Sequence, residues 1–146
     1  MSQEAEIKVN TDSFVKEINA LPLKKGESMF IEIADFAAGI ATLHTFKKET
    51  VKVERILQLS YGIWQTNYYY NKGKLIMIED TEETYLITEN GELDYSEKEK
   101  NYHARFYFFN EKLVESNEIG EKRNGKEMQF NEQIELIQAK LYASEL

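Results

Sequence analysis

The stretch 67-NYYYNKGKLIMIED-80 places three tyrosines before a short turn and an apolar run after it. The turn, Asn71 to Gly73, includes a glycine, which readily adopts the positive φ angles that tight hairpin turns require. Strand-forming residues on both sides of such a turn are typical of two antiparallel strands. The stretch therefore predicts a β-hairpin, and the related stretch 106-FYFFNEKLVE-115 predicts another.

Further turns divide the second half of the chain. The stretch 88-TENGEL-93 contains Asn-Gly, the dipeptide that most strongly favours a two-residue hairpin turn. The turn at Asn110 lacks a glycine and would rely on that asparagine. The charged stretch 96-SEKEK-100 predicts a longer polar loop. Strands are predicted at 67–70, 74–79, 84–88, 92–95, 102–109 and 112–117.

The preceding segment is also predicted to be strand. Residues 28–46 favour two strands, with the change of direction near Ala37 to Gly39. Residues 50–60 alternate in the same way. The pattern continues across Gly62, where a bulge or bend is expected.

Helices are predicted at both ends. In 11-TDSFVKEINAL-21, apolar residues recur at helical spacing behind the possible N-caps Thr11, Asp12 and Ser13, and Pro22 ends the helix. Residues 130–145 predict an amphipathic helix capped by Asn131. Its apolar stripe comprises Phe130, Ile134, Ile137 and Leu141.

Length and composition fit one folded domain, residues 1–146, with disorder allowed for residues 1–10. Hydrophobic residues make up 42% of the chain and aromatic residues 12%, which is typical of globular proteins. The predicted fold class is α+β. We expect an antiparallel β-meander of seven or eight strands, with the N-terminal and C-terminal helices on one face.

The paired hairpin motifs carry a family resemblance. Residues 69–75 read Tyr-Tyr-Asn-Lys-Gly-Lys-Leu, and residues 108–113 read Phe-Phe-Asn-Glu-Lys-Leu without the glycine. This pattern, in the second half of the chain, resembles uncharacterised small exported or lipid-anchored bacterial proteins whose hairpins repeat aromatic-aromatic-Asn-Gly-Lys-Leu. The resemblance implies an antiparallel sheet and no known catalytic residue. It also implies an exported or lipid-anchored location. We therefore expect a periplasmic or exported location if an export signal precedes this sequence, and otherwise a cytoplasmic one.

The aromatic strands contain the candidate binding residues. Successive side chains of a strand point to opposite faces, so each face receives every second ring. We expect Tyr69, Phe106 and Phe108 to face the helices as core. The other face would then display rings to a ligand, unless they only stack with cross-strand neighbours. The candidate ligand-binding residues are Tyr61, Trp64, Tyr68, Tyr70, Tyr107 and Phe109.

Charge and residue usage exclude several functions. The chain has 18 basic and 26 acidic residues, a net charge of −8, and nearly all of the excess lies in residues 67–146. Nucleic acids bind basic surfaces, so no nucleic-acid partner is expected. No apolar run could span a membrane. Without cysteine, and with two histidines outside any metal-binding spacing, neither a metal nor a cofactor is expected.

Few residues suggest catalysis. His44 could form an acid–base pair with Asp35 or Glu32 if neighbouring strands bring them together. His103 is better explained as a surface strand residue. The acidic run 79-EDTEE-83 is better explained as a solvated turn than as a calcium site, because it lacks the EF-hand arrangement.

Three functional hypotheses follow. The first is a non-enzymatic binding or interaction module that uses the aromatic face of the sheet to hold a protein or a small apolar ligand. The second is a small acidic inhibitor or immunity-type protein that covers a basic toxin surface. The third, less favoured, is a small hydrolase or isomerase that uses His44 with a nearby carboxylate. Oligomeric state is left open, since edge strands of an open sheet can pair between copies.

Overall fold

The computed structural model describes residues 2–33, 37–123 and 132–145. An N-terminal helix precedes seven strands, and a second helix follows them. The elements are α1 (Gln3–Ala20), β1 (Lys24–Ile33), β2 (Ala37–Phe46), β3 (Glu49–Leu59), β4 (Gly62–Asn71), β5 (Lys74–Ile87), β6 (Leu93–Phe109), β7 (Lys112–Gly120) and α2 (Glu132–Glu145).

The seven strands form one antiparallel sheet in chain order, which confirms the predicted meander. Two segments predicted as a turn and a loop are strand instead: residues 79–83 lie inside β5 and residues 96–100 inside β6. Charged residues are compatible with strand wherever their side chains reach solvent or find partners. The change of direction predicted near Ala37 to Gly39 does not lie within those residues, because all three already pair with β1.

The hairpin turns follow the predicted chemistry. Lys72 and Gly73 have φ angles of 52° and 79°, as the predicted turn between β4 and β5 requires. Asn110–Glu111 also has positive φ, 50° and 63°, so this turn forms without glycine. At the Asn-Gly dipeptide the loop is longer than two residues, since the N–H groups of Gly91 and Glu92 both donate to Thr88.

Helix α1 starts earlier than predicted. Ser2 is the N-cap, and its side chain accepts a hydrogen bond from the Ala5 N–H at 3.1 Å. The helix therefore begins at Gln3, inside the segment for which disorder was allowed, and the predicted N-caps at 11–13 are wrong. Thr11 is instead buried in the middle of the helix. The helix ends as predicted, with Leu21 extended before the proline.

The two helices lie on opposite faces of the sheet, so the prediction that they share one face is wrong. Val15 and Ile18 of α1 pack on Tyr69 and Tyr107. Tyr142 of α2 packs on the other face, together with Ala139. Three consecutive buried tyrosines require cover on both faces, because neighbouring residues of a strand point in opposite directions. The large aromatic residues under α2 are Tyr68, Tyr70, Phe106 and Phe108.

Helix α2 occupies most of the predicted C-terminal helix. Ala139 and Tyr142 are its buried contacts, whereas Leu141, predicted on the apolar stripe, is 46% exposed. Phe130 and Asn131 lie outside the described residues, as do the side chains of Ile134 and Ile137. The Tyr70 hydroxyl donates to the Ala139 carbonyl at 2.7 Å, so the small residue lets the helix approach the sheet closely.

Helix α1 leaves part of its face of the sheet uncovered. Phe30, Ile40 and Ile56 pair directly across β1, β2 and β3, and all three side chains are exposed. In the described part of the chain, neither helix is long and apolar enough to cross a membrane.

Candidate functional site

Three hairpin turns lie at one end of the sheet, because β2–β3, β4–β5 and β6–β7 are successive antiparallel pairs. With one flanking residue on each side, the three turns comprise residues 46–49, 71–74 and 109–112. These ranges hold five exposed lysines and two glutamates. The turn end, as we call these three ranges together, therefore carries net positive charge, although the net charge of the whole protein is −8. Its lysines are Lys47, Lys48, Lys72, Lys74 and Lys112.

A cavity of about 460 Å³ opens between α1 and two of these hairpins. This volume lies within the range of about 300–1,000 Å³ found for small-molecule sites. We call the cavity the α1 groove. It is lined by Ile7, Asn10, Thr11, Phe14, Asn71, Lys72, Lys74, Leu75, Ile76, Phe108, Phe109 and Asn110.

Polar contacts position α1 above the groove. The buried Tyr107 hydroxyl donates to Asp12 Oδ1 at 2.6 Å, and Asn19 Nδ2 donates to the Tyr69 hydroxyl at 3.2 Å. Burial, together with the hydrogen bond to Asp12, raises the pKa of Tyr107 to about 12. The phenol is therefore protonated at neutral pH and remains a donor to the helix. These contacts, with the packing of Val15, fix the helix that forms one wall of the groove.

Smaller cavities lie on the α2 side of the same turn end. One of about 240 Å³ is lined in part by Tyr70, Leu136 and Ala139, and another of about 320 Å³ by Tyr70, Lys72 and Gly73. Both cavities are smaller than the α1 groove, and less apolar surface lines them.

A buried polar cluster crosses the α2 face. Asp80 Oδ1 accepts hydrogen bonds from Trp64 Nε1 at 2.6 Å and from Thr66 Oγ1 at 2.8 Å. Its Oδ2 lies 2.8 Å from Lys122 Nζ, and both side chains of this ion pair are 6% exposed. The prediction that residues 79–83 form a solvated turn is wrong here, since Asp80 and Glu82 alternate inward along β5.

Glu82 extends the cluster toward the C-terminal end of β7. Its Oε1 accepts from Asn101 Nδ2 at 2.7 Å and from the backbone N–H of Arg123 at 2.8 Å. Glu82 Oε2 and Asn101 Oδ1 are buried and have no hydrogen-bond partner among the described residues. These contacts fasten residues 121–123 to the sheet.

Arg55 joins the cluster to α2. Its guanidinium donates to Thr66 Oγ1 and to Gln138 Oε1, each at 2.9 Å, and lies 4.8 Å from the centre of the Trp64 ring. The neighbouring Tyr68 hydroxyl donates to Glu135 at 2.7 Å. Burial raises the pKa of Tyr68 well above its ordinary value, so this phenol remains a donor. A fully buried arginine with these partners stabilises the packing of α2 and offers no open site.

His44 does not form the proposed acid–base pair with Glu32. His44 Nε2 is buried without a hydrogen-bond partner, and burial lowers the pKa of His44. Glu32 pairs with Ala38, six residues along β2 from His44, which separates them by about 20 Å at strand rise. Asp35 lies outside the described residues.

His103 has a carboxylate partner in Glu79, at 3.0 Å. Arg105 Nε donates to the same carboxylate at 3.3 Å. Burial alone would raise the pKa of Glu79, but the His103 hydrogen bond and the Arg105 charge outweigh burial and lower it. This partly exposed trio lies on the α1 face of β5 and β6. Among the described residues, no group of three or more histidine and acidic side chains could hold a metal ion.

The six aromatic candidates do not form one accessible face. Trp64, Tyr68 and Tyr70 are buried on the α2 face, and Tyr107 is buried under α1. Phe109 is 47% exposed and lines the α1 groove. The remaining candidate, Tyr61, is half-buried at the far end of the sheet, under the Arg123 guanidinium. The predicted assignment of the rings to the two faces of the sheet is wrong, because Tyr68 and Phe106 share one face and α2 covers that face.

The groove residues of α1 were missed because the predicted helix began too late. Ile7, Thr11 and Phe14 recur at helical spacing, which is the signal that could have extended the helix toward the N-terminus. Lys72 was assigned only to the turn, and Lys74 only to the strand that follows it. Their place on the groove depends on α1 crossing the hairpin ends, which neither hairpin sequence indicates.

Comparisons with protein-family models, with curated proteins and with solved structures found no significant match.

Proposed function

We propose that the protein is a non-enzymatic binding module that holds a small, mainly apolar ligand in the α1 groove. The main support for this proposal is the cavity of about 460 Å³ between α1 and the two aromatic hairpins. Apolar cavities with a few polar groups at the edge are the usual form of small-molecule sites.

The sheet supplies a rigid floor for such a ligand. Leu75 and Phe108 turn their side chains to the buried core on the α2 face, so packing on that side holds the strands that form the groove floor. Phe109 and Ile76 add apolar surface that is incompletely covered by the protein itself. A ligand that covers them would remove apolar surface from water, at about 25 cal/mol for each Å² buried.

Nile red, a neutral apolar dye, tests the proposal by fluorescence titration. Asn10→Trp would fill the groove from the exposed side of α1 without removing a core side chain. We expect this variant to weaken dye binding at least tenfold, as expected for lost apolar burial of about 1.4 kcal/mol. Phe109→Ala should weaken binding by a smaller factor.

Phe30→Ala is the matched control, because Phe30 is 70% exposed on β1 and does not line the groove. Binding that is lost in Phe30→Ala and retained in Asn10→Trp would contradict the proposal and place the apolar site on the uncovered face of the sheet.

A second candidate function, an acidic inhibitor-type protein, is favoured by the hairpin arm at residues 85–100. Pairing of β5 with β4 ends at Thr84, and pairing of β6 with β7 ends at Tyr102, so the arm extends beyond its neighbours. It has five carboxylates and two lysines, and its Tyr95 is 70% exposed. An acidic arm with an exposed aromatic ring suits a basic protein surface.

This candidate predicts that the affinity of a copurifying basic protein falls steeply as salt rises from 50 to 500 mM, because salt screens exposed charges. Glu89→Gln with Glu92→Gln should weaken the complex, while Lys47→Gln with Lys48→Gln should not. An affinity insensitive to salt and to the arm variant would contradict it.

A further inference from the structure

We infer that the ligand of the α1 groove is an anionic amphiphile, a single apolar chain with a negatively charged head group at Lys72 and Lys74. This inference rests on the proposed function and goes further, because it names the chemical class of the ligand. The apolar chain would lie along α1, and the head group would lie at the turn between β4 and β5.

The charge of the groove differs from that of the whole protein. The chain has 26 acidic residues, yet the described residues that line the groove include two lysines and no carboxylate. The carboxylates of the described residues therefore lie elsewhere, and the charged side chains that these residues present to an anion in the groove are the two lysines. Such a distribution favours a negatively charged ligand over a neutral or cationic one.

The two lysines are available to a ligand. Both are exposed, and no carboxylate of the described residues lies within ion-pair distance of either ammonium group. Glu111, in the neighbouring turn, pairs instead with Lys140 of α2 at 3.1 Å. Glu49, the other glutamate of the turn end, lines the cavity of about 320 Å³ with Lys72 on the α2 side, and no ion pair among the described residues joins it to either lysine.

Polar and apolar parts of the groove are separated in the way an amphiphile requires. Lys72 lies in the turn, and Lys74 and Asn71 pair with each other at the first step of the hairpin. Ile76 follows two residues further along β5, on the same face as Lys74. Asn71 and Asn110 add amide donors beside the lysines. Charge and donors therefore lie at the turns, and apolar surface lies under the helix.

Isothermal titration with three chain-matched probes tests the inference: decanoate, 1-decanol and decyltrimethylammonium, each kept monomeric. We expect decanoate to bind most tightly. Lys72→Gln with Lys74→Gln should weaken decanoate binding at least tenfold, as expected when two nearby charges are removed at a protein surface. The affinity for 1-decanol should change by less than twofold.

Lys47→Gln with Lys48→Gln is the matched control, since it removes the same charge from the adjacent turn, outside the groove. We expect this pair to change decanoate binding by less than about threefold, a long-range effect that salt would screen. Thermal unfolding followed by circular dichroism verifies that both double variants are folded, so a loss of affinity reports on the site.

The outcomes separate the inference from the proposed function. Equal affinity for 1-decanol and decanoate, unchanged by Lys72→Gln with Lys74→Gln and lost in Asn10→Trp, would overturn the anionic head group and leave the apolar groove standing. No binding of any probe would overturn both. Cosedimentation with phosphatidylglycerol vesicles that decanoate does not compete would place the anion on a membrane surface, and would overturn the monomeric ligand.

Discussion

Replacing Lys122 with methionine tests how strongly the buried polar cluster holds the C-terminal part of the chain to the sheet. In the native protein the Lys122 ammonium lies 2.8 Å from Asp80 Oδ2 and 5.0 Å from the centres of the Trp64 and Tyr102 rings. Methionine has similar length and is apolar, so the substitution removes the charge while retaining most of the packing volume.

The magnitude follows from what the variant leaves behind. Asp80 would keep its hydrogen bonds from Trp64 and Thr66, but its carboxylate would be buried without a cation. Breaking a buried ion pair by removing one partner costs about 3–5 kcal/mol. For a domain of this size, that cost corresponds to a fall in Tm of roughly 10–15 °C.

Urea unfolding of a double-mutant cycle provides the assay. Asp80→Asn retains an oxygen acceptor for Trp64 and Thr66 and removes the charge that Lys122 neutralises. The double variant Asp80→Asn with Lys122→Met should therefore be more stable than Lys122→Met alone, by at least about 2 kcal/mol. Costs that simply add, or a Lys122→Met variant as stable as the native protein, would refute this reasoning.

Three further predictions follow from the fold. Tyr70→Ala and Tyr107→Ala should each lower the free energy of urea unfolding by about 3–5 kcal/mol, because both rings are buried. Phe109→Ala should lower it by less than about 1.5 kcal/mol. A folded, stable Tyr70→Ala/Tyr107→Ala double variant would contradict the assignment of these rings to the core. The pKa of Glu79 is lower in the folded state than its ordinary value of 4.5. The ionised Glu79 side chain therefore stabilises the fold above pH 4.5, and this contribution is lost as the pH falls through the folded-state pKa. The stability difference between native protein and Glu79→Gln should accordingly shrink between pH 5 and pH 3, and a constant difference in urea midpoints would exclude that role. Gly62→Ala should destabilise the protein by about 1–3 kcal/mol, because an added Cβ would overlap the Glu83 carbonyl; unchanged thermal unfolding would show that the strands can separate there without cost.

Most of the fold that was predicted correctly was predicted from the residues of the hairpin turns. The hairpin at Lys72–Gly73 and the asparagine-led turn at Asn110 both form, and the resulting strands pair in chain order. The strand segments made of polar residues were not predicted from the sequence pattern. Residues 96–100 belong to a two-stranded arm whose charged side chains are exposed on both faces, and such a strand has no apolar alternation to reveal it.

The assignment of faces could not be made from one strand at a time. Whether Tyr68 or Tyr69 shares a face with Phe106 depends on the register between strands, and an offset of one residue exchanges the two faces. The buried position of Asp80 likewise depends on Lys122, 42 residues later in the chain. The α1 groove combines both difficulties, because it requires the helix start, the strand register and the side on which the helix lies.

A nuclear magnetic resonance titration of the labelled protein with decanoate would locate the binding site proposed in the α1 groove. Amide shifts are expected to change at residues 7–14, 71–76 and 108–110, with little change at Phe30, Ile40 and Ile56. Changes concentrated on that uncovered part of the sheet, or on the arm at residues 85–100, would contradict it.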